Sequence, residues 1–340
     1  MMKKITILLT VIMLMISCTG CGSSSDDANL STNQSATSYH SPADGKPSSP
    51  LSDRPSDSDN EKGKRDNTPQ ILVPSADGKD LLTCSVATVD ISNATKGYIM
   101  VKYTGNCQKV KLQITCPSPT GSGDAVKYTY NLTIGADYEV FPLTTSGDYT
   151  IGVYENVKKQ SYKAVLSESK KFTIKDEFGP YLYPNQYIWF DDTFKTVQKA
   201  EDLAYSADDD LEVVENIYDY IITNTTYDHK LAETVVSGYL PNVDTTLSTK
   251  KGICLDYSAL MCAMLRSQGI PTRLEVGYAG DAYHAWISTY LNEIGWVSGI
   301  IYFNGTSWSL MDPTFASSTN PERLKEYIGD GDNYTVKYVY

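Results

Sequence analysis

Histidine is scarce in this sequence. Its 340 residues include three, His40, His229 and His284. Any imidazole chemistry therefore falls to one of these positions. Basic residues are also in deficit, with 29 Lys and Arg against 41 Asp and Glu and a formal net charge of −12. No basic stripe is present, which argues against nucleic acid as a partner class. An acidic surface favours solubility and names no substrate. After the N-terminus no apolar run is long enough to cross a bilayer. Phenylalanine is rare as well, 7 against 26 tyrosines. Tyrosine has an apolar body and a polar tip, so this bias suits half-wet strand surfaces.

The N-terminus carries the clearest address. Lys3 and Lys4 precede an apolar run from Ile5 to Ile16. At about 12 residues it is too short for a span and right for the core of a signal peptide. It ends in Leu14-Met15-Ile16-Ser17-Cys18, which resembles a bacterial lipobox. Cys18 is the expected lipidation site, and Cys21 is the alternative with the poorer upstream match. Residues 1–21 thus read as a lipoprotein signal, and the chain is expected outside the cytoplasm, held to the membrane by a lipid. Residues 22–68 are Ser, Asp, Asn, Pro, Gly and Lys with almost no apolar side chain. Such a stretch cannot offset its chain entropy by burial and reads as a disordered tether.

Residues 69–177 show two-residue alternation. Val110, Leu112 and Ile114 alternate with Lys109, Lys111 and Gln113. Val126, Tyr128, Tyr130 and Leu132 repeat the pattern, and Tyr149, Ile151 and Val153 follow the turn signal Ser146-Gly147-Asp148. Short alternating strands predict an all-β sandwich, similar at fold level to immunoglobulin-like and fibronectin-like modules. Cys84, Cys107 and Cys116 lie here. One disulfide among them is expected outside the membrane, and strand parity weakly favours Cys84–Cys116; three buried free thiols are the alternative.

From residue 178 the period changes, and 178–340 reads as α+β. Phe194, Val197 and Leu203 fit a helix that Asp191 or Asp192 can cap. Leu211, Val214, Ile217, Tyr218, Ile221 and Ile222 form a second helical stripe behind Asp208, Asp209 and Asp210. Those carboxylates complement a helix dipole more simply than they make a metal site. A polar stretch runs from Thr223 to Lys251. A helix is predicted from Cys254 to Ser267, stopping at Gly269. Strands are predicted over Arg273–Tyr278, His284–Tyr290, Gly299–Phe303 and Ser307–Met311, with Asn304-Gly305 as a hairpin turn. The tail Tyr334, Val336, Tyr338, Tyr340 alternates again.

Cys254 sits where a polar loop enters this helix. Main-chain N–H groups at a helix start are unpaired and partly positive, which favours thiolate over thiol. A reactive thiol also needs a base and a group to orient that base. His40 lies in the tether and His229 in a polar stretch. His284, in Tyr283-His284-Ala285-Trp286, is the one histidine on a predicted strand. Asp312 ends an apolar strand before Pro313, where a carboxylate can accept the second imidazole N–H. Gly252, Tyr257, Trp286 and Trp308 are candidate cleft residues, with core packing as the plainer reading for the aromatics. Cys262 reads as core.

These motifs, in order, resemble the transglutaminase-like superfamily of papain-like fold. The resemblance rests on Gly252-Ile253-Cys254 with Tyr257, Gly269-Ile270-Pro271-Thr272-Arg273, Gly277-Tyr278, His284-Ala285-Trp286, Trp308 and Asp312-Pro313-Thr314. It implies Cys254 as nucleophile, His284 as base and Asp312 as orienting acid. There are two departures: Ile287 and Ser288 follow the His-Ala-Trp step, and a hairpin around Trp296–Phe303 lengthens the path to Asp312. The expected activity is that of a protease or amidase, ahead of a cross-linking transglutaminase, on a protein or peptide substrate. No EF-hand pattern is present, and neither calcium nor any other cofactor is implied. The rival reading is a non-catalytic surface adhesin or scaffold on the same fold.

Overall fold

The structure is a computed structural model that describes residues 61–292, 295–298, 300–303, 308–311 and 334–340. Cys18, Cys21 and Asp312 lie outside the described residues. The first eight strands are β1 (Leu81–Thr83), β2 (Ala87–Asp90), β3 (Tyr98–Tyr103), β4 (Val110–Pro117), β5 (Ala125–Asn131), β6 (Glu139–Pro142), β7 (Gly147–Lys158) and β8 (Ser161–Phe172). They form two four-stranded sheets, ordered β1-β2-β3-β6 and β5-β4-β7-β8. Every pairing within them is antiparallel. The expected alternation is the cause: along β4 every second residue from Val110 to Cys116 is buried. The inward faces share one core, with Val89, Ile99, Val101 and Phe141 from one sheet and Leu112, Ile114, Ile151 and Val153 from the other.

The expected disulfide is absent. Cys84, Cys107 and Cys116 are free thiols. Parity does turn Cys116 inward on β4, but Cys84 lies partly exposed in the turn between β1 and β2. Burial pushes the Cys116 thiol up to about 12.

The C-terminal part contains α1 (Lys195–Ala204), α2 (Asp210–Asn224), β9 (Thr226–Tyr227), α3 (His229–Thr234), α4 (Val243–Thr249), β10 (Lys251–Gly252) and α5 (Cys254–Ser267). The strands β11 (Thr272–Ala279), β12 (Ala282–Leu291), β13 (Gly295–Ser298), β14 (Ile300–Phe303), β15 (Trp308–Met311) and β16 (Tyr334–Val339) follow. A four-stranded antiparallel sheet runs β13-β12-β11-β16, and β14 pairs with β15. All of α5 is buried. It packs against α1, α2, α4, β11 and β12, so an apolar helix is the hub of this half.

Three helices differ from expectation. The polar stretch 223–251 contains α3 and α4, started by Asp228, which accepts from Leu231 N at 2.9 Å, and by Asn242, which accepts from Thr245 N at 2.8 Å. The start of α1 is capped neither by Asp191 nor by Asp192. Asp244 of α4 reaches across and accepts from Thr196 N at 2.9 Å and Lys195 N at 3.1 Å. Asp191 instead accepts from Thr193 N.

The two halves are joined by tyrosines. Tyr128 on β5 packs edge-on against Tyr338 and Tyr340 at 5.3 and 5.5 Å between ring centres. Its hydroxyl accepts from Val339 N at 3.2 Å. Residues 61–68, expected as tether, are held against the C-terminal half. Gly63 N donates to Tyr205 O, Arg65 N to Ala207 O and Gln70 N to Ser267 O. The Arg65 guanidinium donates to Asp210 and to the main-chain oxygen of Gln268, both at 2.6 Å. The chain therefore crosses the C-terminal half before it enters the first sheet.

Candidate active site

Cys254 is the first residue of α5, and the local chain explains why the helix starts there. Ile253 is extended, with φ −95° and ψ 177°, and offers no polar side chain as a cap. The capping group comes from within the first turn. Asp256 Oδ2 accepts from Ile253 N at 2.8 Å, the reciprocal half of a capping box. Gly252 permits this approach. A Cβ there would lie 2.5 Å from the Asp256 Cβ, so its missing side chain makes room for the cap and not for a substrate. Upstream, β10 pairs in parallel with β9, placing Gly252 beside Tyr227, and Asp228 N donates to Gly252 O at 2.9 Å. Lys250, with φ +56°, turns the chain into this pair.

The Cys254 sulfur is a free thiol and the residue is 8% exposed. At the first two positions of a helix the N–H groups have no intrahelical acceptor, so they point outward as donors. Asp256 is buried, and burial raises its carboxyl against the lowering effect of the Ile253 N–H and the Tyr239 hydroxyl. Cys262, two turns along, is fully buried and pushed up to about 12 by that burial.

His284 lies on β12, opposite Gly277 of β11, and is 7% exposed. Its ring stacks on Trp286 with 6.2 Å between centres and 22° between planes. The indole of Trp286 donates to Glu275 Oε2 at 2.8 Å and meets Tyr334 edge-on at 4.9 Å. Glu275 is buried among these groups, and desolvation raises its carboxyl. The strand bearing His284 thus packs on the helix that starts at Cys254. β15 ends at Met311, one residue short of Asp312. Trp308 opens β15, paired with Phe303. Tyr257 is fully buried and Trp286 nearly so, which places both in the core and not on an open cleft wall.

Two site-supporting residues escaped the reading of the sequence. Arg266 is fully buried in α5 and donates to three main-chain oxygens: Thr272 at 2.9 Å, Tyr183 at 2.7 Å and Tyr340 at 2.9 Å. It thereby ties the end of α5 to the entry of β11 and to the strand beside it. Burial lowers its guanidinium to about 10. Glu275 is the other. Each is a charged residue inside an apolar run, Met264-Leu265-Arg266 and Leu274-Glu275-Val276, and that was the available signal. Among the described residues no cluster of His, Cys, Asp or Glu is placed to hold a metal ion. Asp208 and Asp210 pair with Lys64 and Arg65.

Residues 197–299 match the sequence profile of the transglutaminase-like superfamily. Over that stretch the chain resembles that superfamily. The matched transglutaminase-like domain runs from α1 to the end of β13 and includes Cys254 and His284. That superfamily comprises cysteine acyltransferases and proteases, and some of its members lack catalysis. The chain is 26% identical over 174 residues to the Bacillus subtilis protein YebA, covering 45% of this chain and 23% of YebA. It is 31% identical over 121 residues to a protein-glutamine gamma-glutamyltransferase of Pseudomonas aeruginosa, covering 28% of this chain and 16% of that protein. The match therefore spans under a quarter of the length of either relative. Among solved structures, the periplasmic domain of TgpA from Pseudomonas aeruginosa aligns at 14% identity and a TM-score of 0.34, over 73% of this chain and 98% of that domain.

Proposed function

We propose that this protein is a thiol enzyme acting on carboxamide or peptide bonds of a protein substrate. One observation carries the reading: a free cysteine opens a buried helix that packs on the strand bearing the histidine of the His-Ala-Trp motif. His284 takes the proton from the Cys254 thiol, and the sulfur attacks the carbonyl carbon. The Cys254 N–H donates to the oxyanion at the helix start. His284 then returns the proton to the leaving nitrogen as the carbon–nitrogen bond breaks, leaving a thioester on Cys254. Asp312 accepts the second imidazole N–H and holds the ring.

The acceptor names the reaction. Water gives a carboxylic acid, and a lysine amine gives an isopeptide bond. Hydrolysis is the favoured outcome, because water is always at hand while transfer needs a site that admits an amine and disfavours water. Incubation with a glutamine-containing protein and a tagged primary amine tests this. Ammonia or new N-termini without tag mean hydrolysis, and incorporated tag means transfer. Neither product, with wild-type and Cys254→Ala indistinguishable, would favour a scaffold.

The N-terminal segment supports an exported protein lipidated at Cys18. Labelled fatty acid should enter the wild-type protein and not Cys18→Ala; unchanged labelling with loss in Cys21→Ala would move the anchor to the second cysteine.

A further inference from the structure

The first domain carries a surface that the thiol chemistry does not use. In a chain of net charge −12, one end of the sheet β5-β4-β7-β8 is basic. Lys109 and Lys111 flank the start of β4, and Lys158, Lys159 and Lys163 lie at the tip of the β7–β8 hairpin. These lysines are scattered in the sequence, and strand register assembles them. Asn156 N donates to Lys109 O at 3.0 Å, Lys111 pairs with Tyr154, and Lys163 pairs with Glu155. The Lys111 ammonium lies over the Tyr162 ring, 5.0 Å from its centre. Lys109, Lys158, Lys159 and Lys163 are exposed, and among the described residues none of these four is paired with a carboxylate. Glu155, the one acid between Tyr149 and Ser167, accepts instead from the Tyr103 hydroxyl.

The tip of the hairpin is held in shape. Asn156 Nδ2 donates to Lys159 O at 2.8 Å and to Ser161 O at 3.3 Å. Lys159 has φ +50°, a left-handed conformation usually left to Gly or Asn. A lysine is therefore the costlier choice for this turn. Val157, the residue before Lys158, is 64% exposed. Protection of an open sheet edge accounts for Lys163 on the outer strand β8, because charge there deters pairing with another chain. It accounts neither for Lys109 and Lys111 at the interior strand β4 nor for an exposed valine beside the tip.

We propose that this end of the hairpin is a docking surface for an anionic lipid membrane. The lysine heads meet the phosphate and carboxylate groups of the headgroup layer, where each is worth about fivefold in binding. Val157 and the apolar body of Tyr162 enter the boundary between headgroups and acyl chains. The exposed valine favours a lipid layer over a nucleic acid or a soluble phosphate, neither of which has an acyl layer to receive it. The surface needs neither Cys254 nor a lipid on Cys18, so it stands apart from both.

The test is lysine acetylation of the full chain, read residue by residue by mass spectrometry. It is run on neutral phosphatidylcholine vesicles and on the same vesicles with phosphatidylserine added. Lys109, Lys158, Lys159 and Lys163 should react about three- to tenfold more slowly on the anionic vesicles. Lys64 and Lys79, whose side chains are 83% and 78% exposed elsewhere, should react equally on both. Added salt should remove the difference. Lys158→Glu/Lys159→Glu, confined to the exposed tip, should return Lys109 and Lys163 to the neutral-vesicle rate. The same rate on both vesicles at the four lysines overturns the proposal. So does equal slowing of Lys64 and Lys79, which marks unspecific adsorption. Equal slowing by free glycerophosphate would make this a phosphate site. Slowing by a single-stranded oligonucleotide and not by vesicles would make it a nucleic-acid site. Either result replaces the membrane as partner.

Discussion

Trp286 and Glu275 are hydrogen-bonded across the β11–β12 pair, indole N–H to carboxylate at 2.8 Å, and Trp286 in turn stacks on His284. The ring that stacks on His284 is thus held in place by a buried acid. Replacing Glu275 by Ala strands the indole N–H in the core. A loss of about 1–3 kcal/mol in denaturant unfolding is expected, with Glu275→Gln retaining much of it.

The same residue gives a pH dependence. Desolvation raises the folded-state carboxyl of Glu275 above its ordinary 4.5. The folded protein therefore holds this proton to higher pH than the unfolded chain does. The favourable contribution is complete below about 4.5 and is lost as pH rises through the folded-state value. Glu275→Gln cannot titrate. Its stability relative to wild type should improve as pH is raised from 4 to 7, read as the difference between two denaturation series. A difference that is flat or of opposite sign would assign the acid another state.

Arg266 donates to three main-chain oxygens, those of Thr272, Tyr183 and Tyr340. Arg266→Leu leaves three buried acceptors without these donors and should cost about 3 kcal/mol or more. Arg266→Lys should not restore it, because a single ammonium cannot span the fork. Equilibrium unfolding of the two variants measures both effects.

Gly252→Ala would force a Cβ to within 2.5 Å of Asp256. Asp256 cannot retreat without releasing Ile253. A loss of about 1–3 kcal/mol is expected, accompanied by slower alkylation of Cys254. Normal stability with normal alkylation would show that the turn relaxes freely.

Arg65 is the anchor of the segment that crosses the C-terminal half, bonded to Asp210 and Gln268. Arg65→Ala should cost about 1–3 kcal/mol and expose residues 61–70 to proteolysis. Lys64, whose pair with Asp208 is exposed, should be replaceable by Ala with no measurable change.

What was legible in the sequence follows from range. The sheets of the first domain were readable because burial on one face imposes a period of two, and α5 because an apolar run ends at Gly269, whose φ is +74°. The motifs around Cys254 and His284 were readable because they are contiguous. The missed features depend on distant partners. The cap of α1 comes from Asp244, 48 residues away. The hold on Arg65 comes from Gln268, 203 residues away. α3 and α4 are short, and their apolar residues are too few to show a helical stripe, so their Asp and Asn starts were the available sign. Gly252 was read as a cleft residue because its neighbour Asp256 comes beside it only once the turn has formed.

The most direct test of the central claim is mass spectrometry of protein quenched in acid during turnover of a glutamine-containing protein. The account predicts a hydroxylamine-labile acyl adduct on the Cys254 peptide, absent in Cys254→Ala and strongly reduced in His284→Ala. Substrate consumed without any adduct on that peptide, or an adduct unaffected by loss of His284, would contradict it.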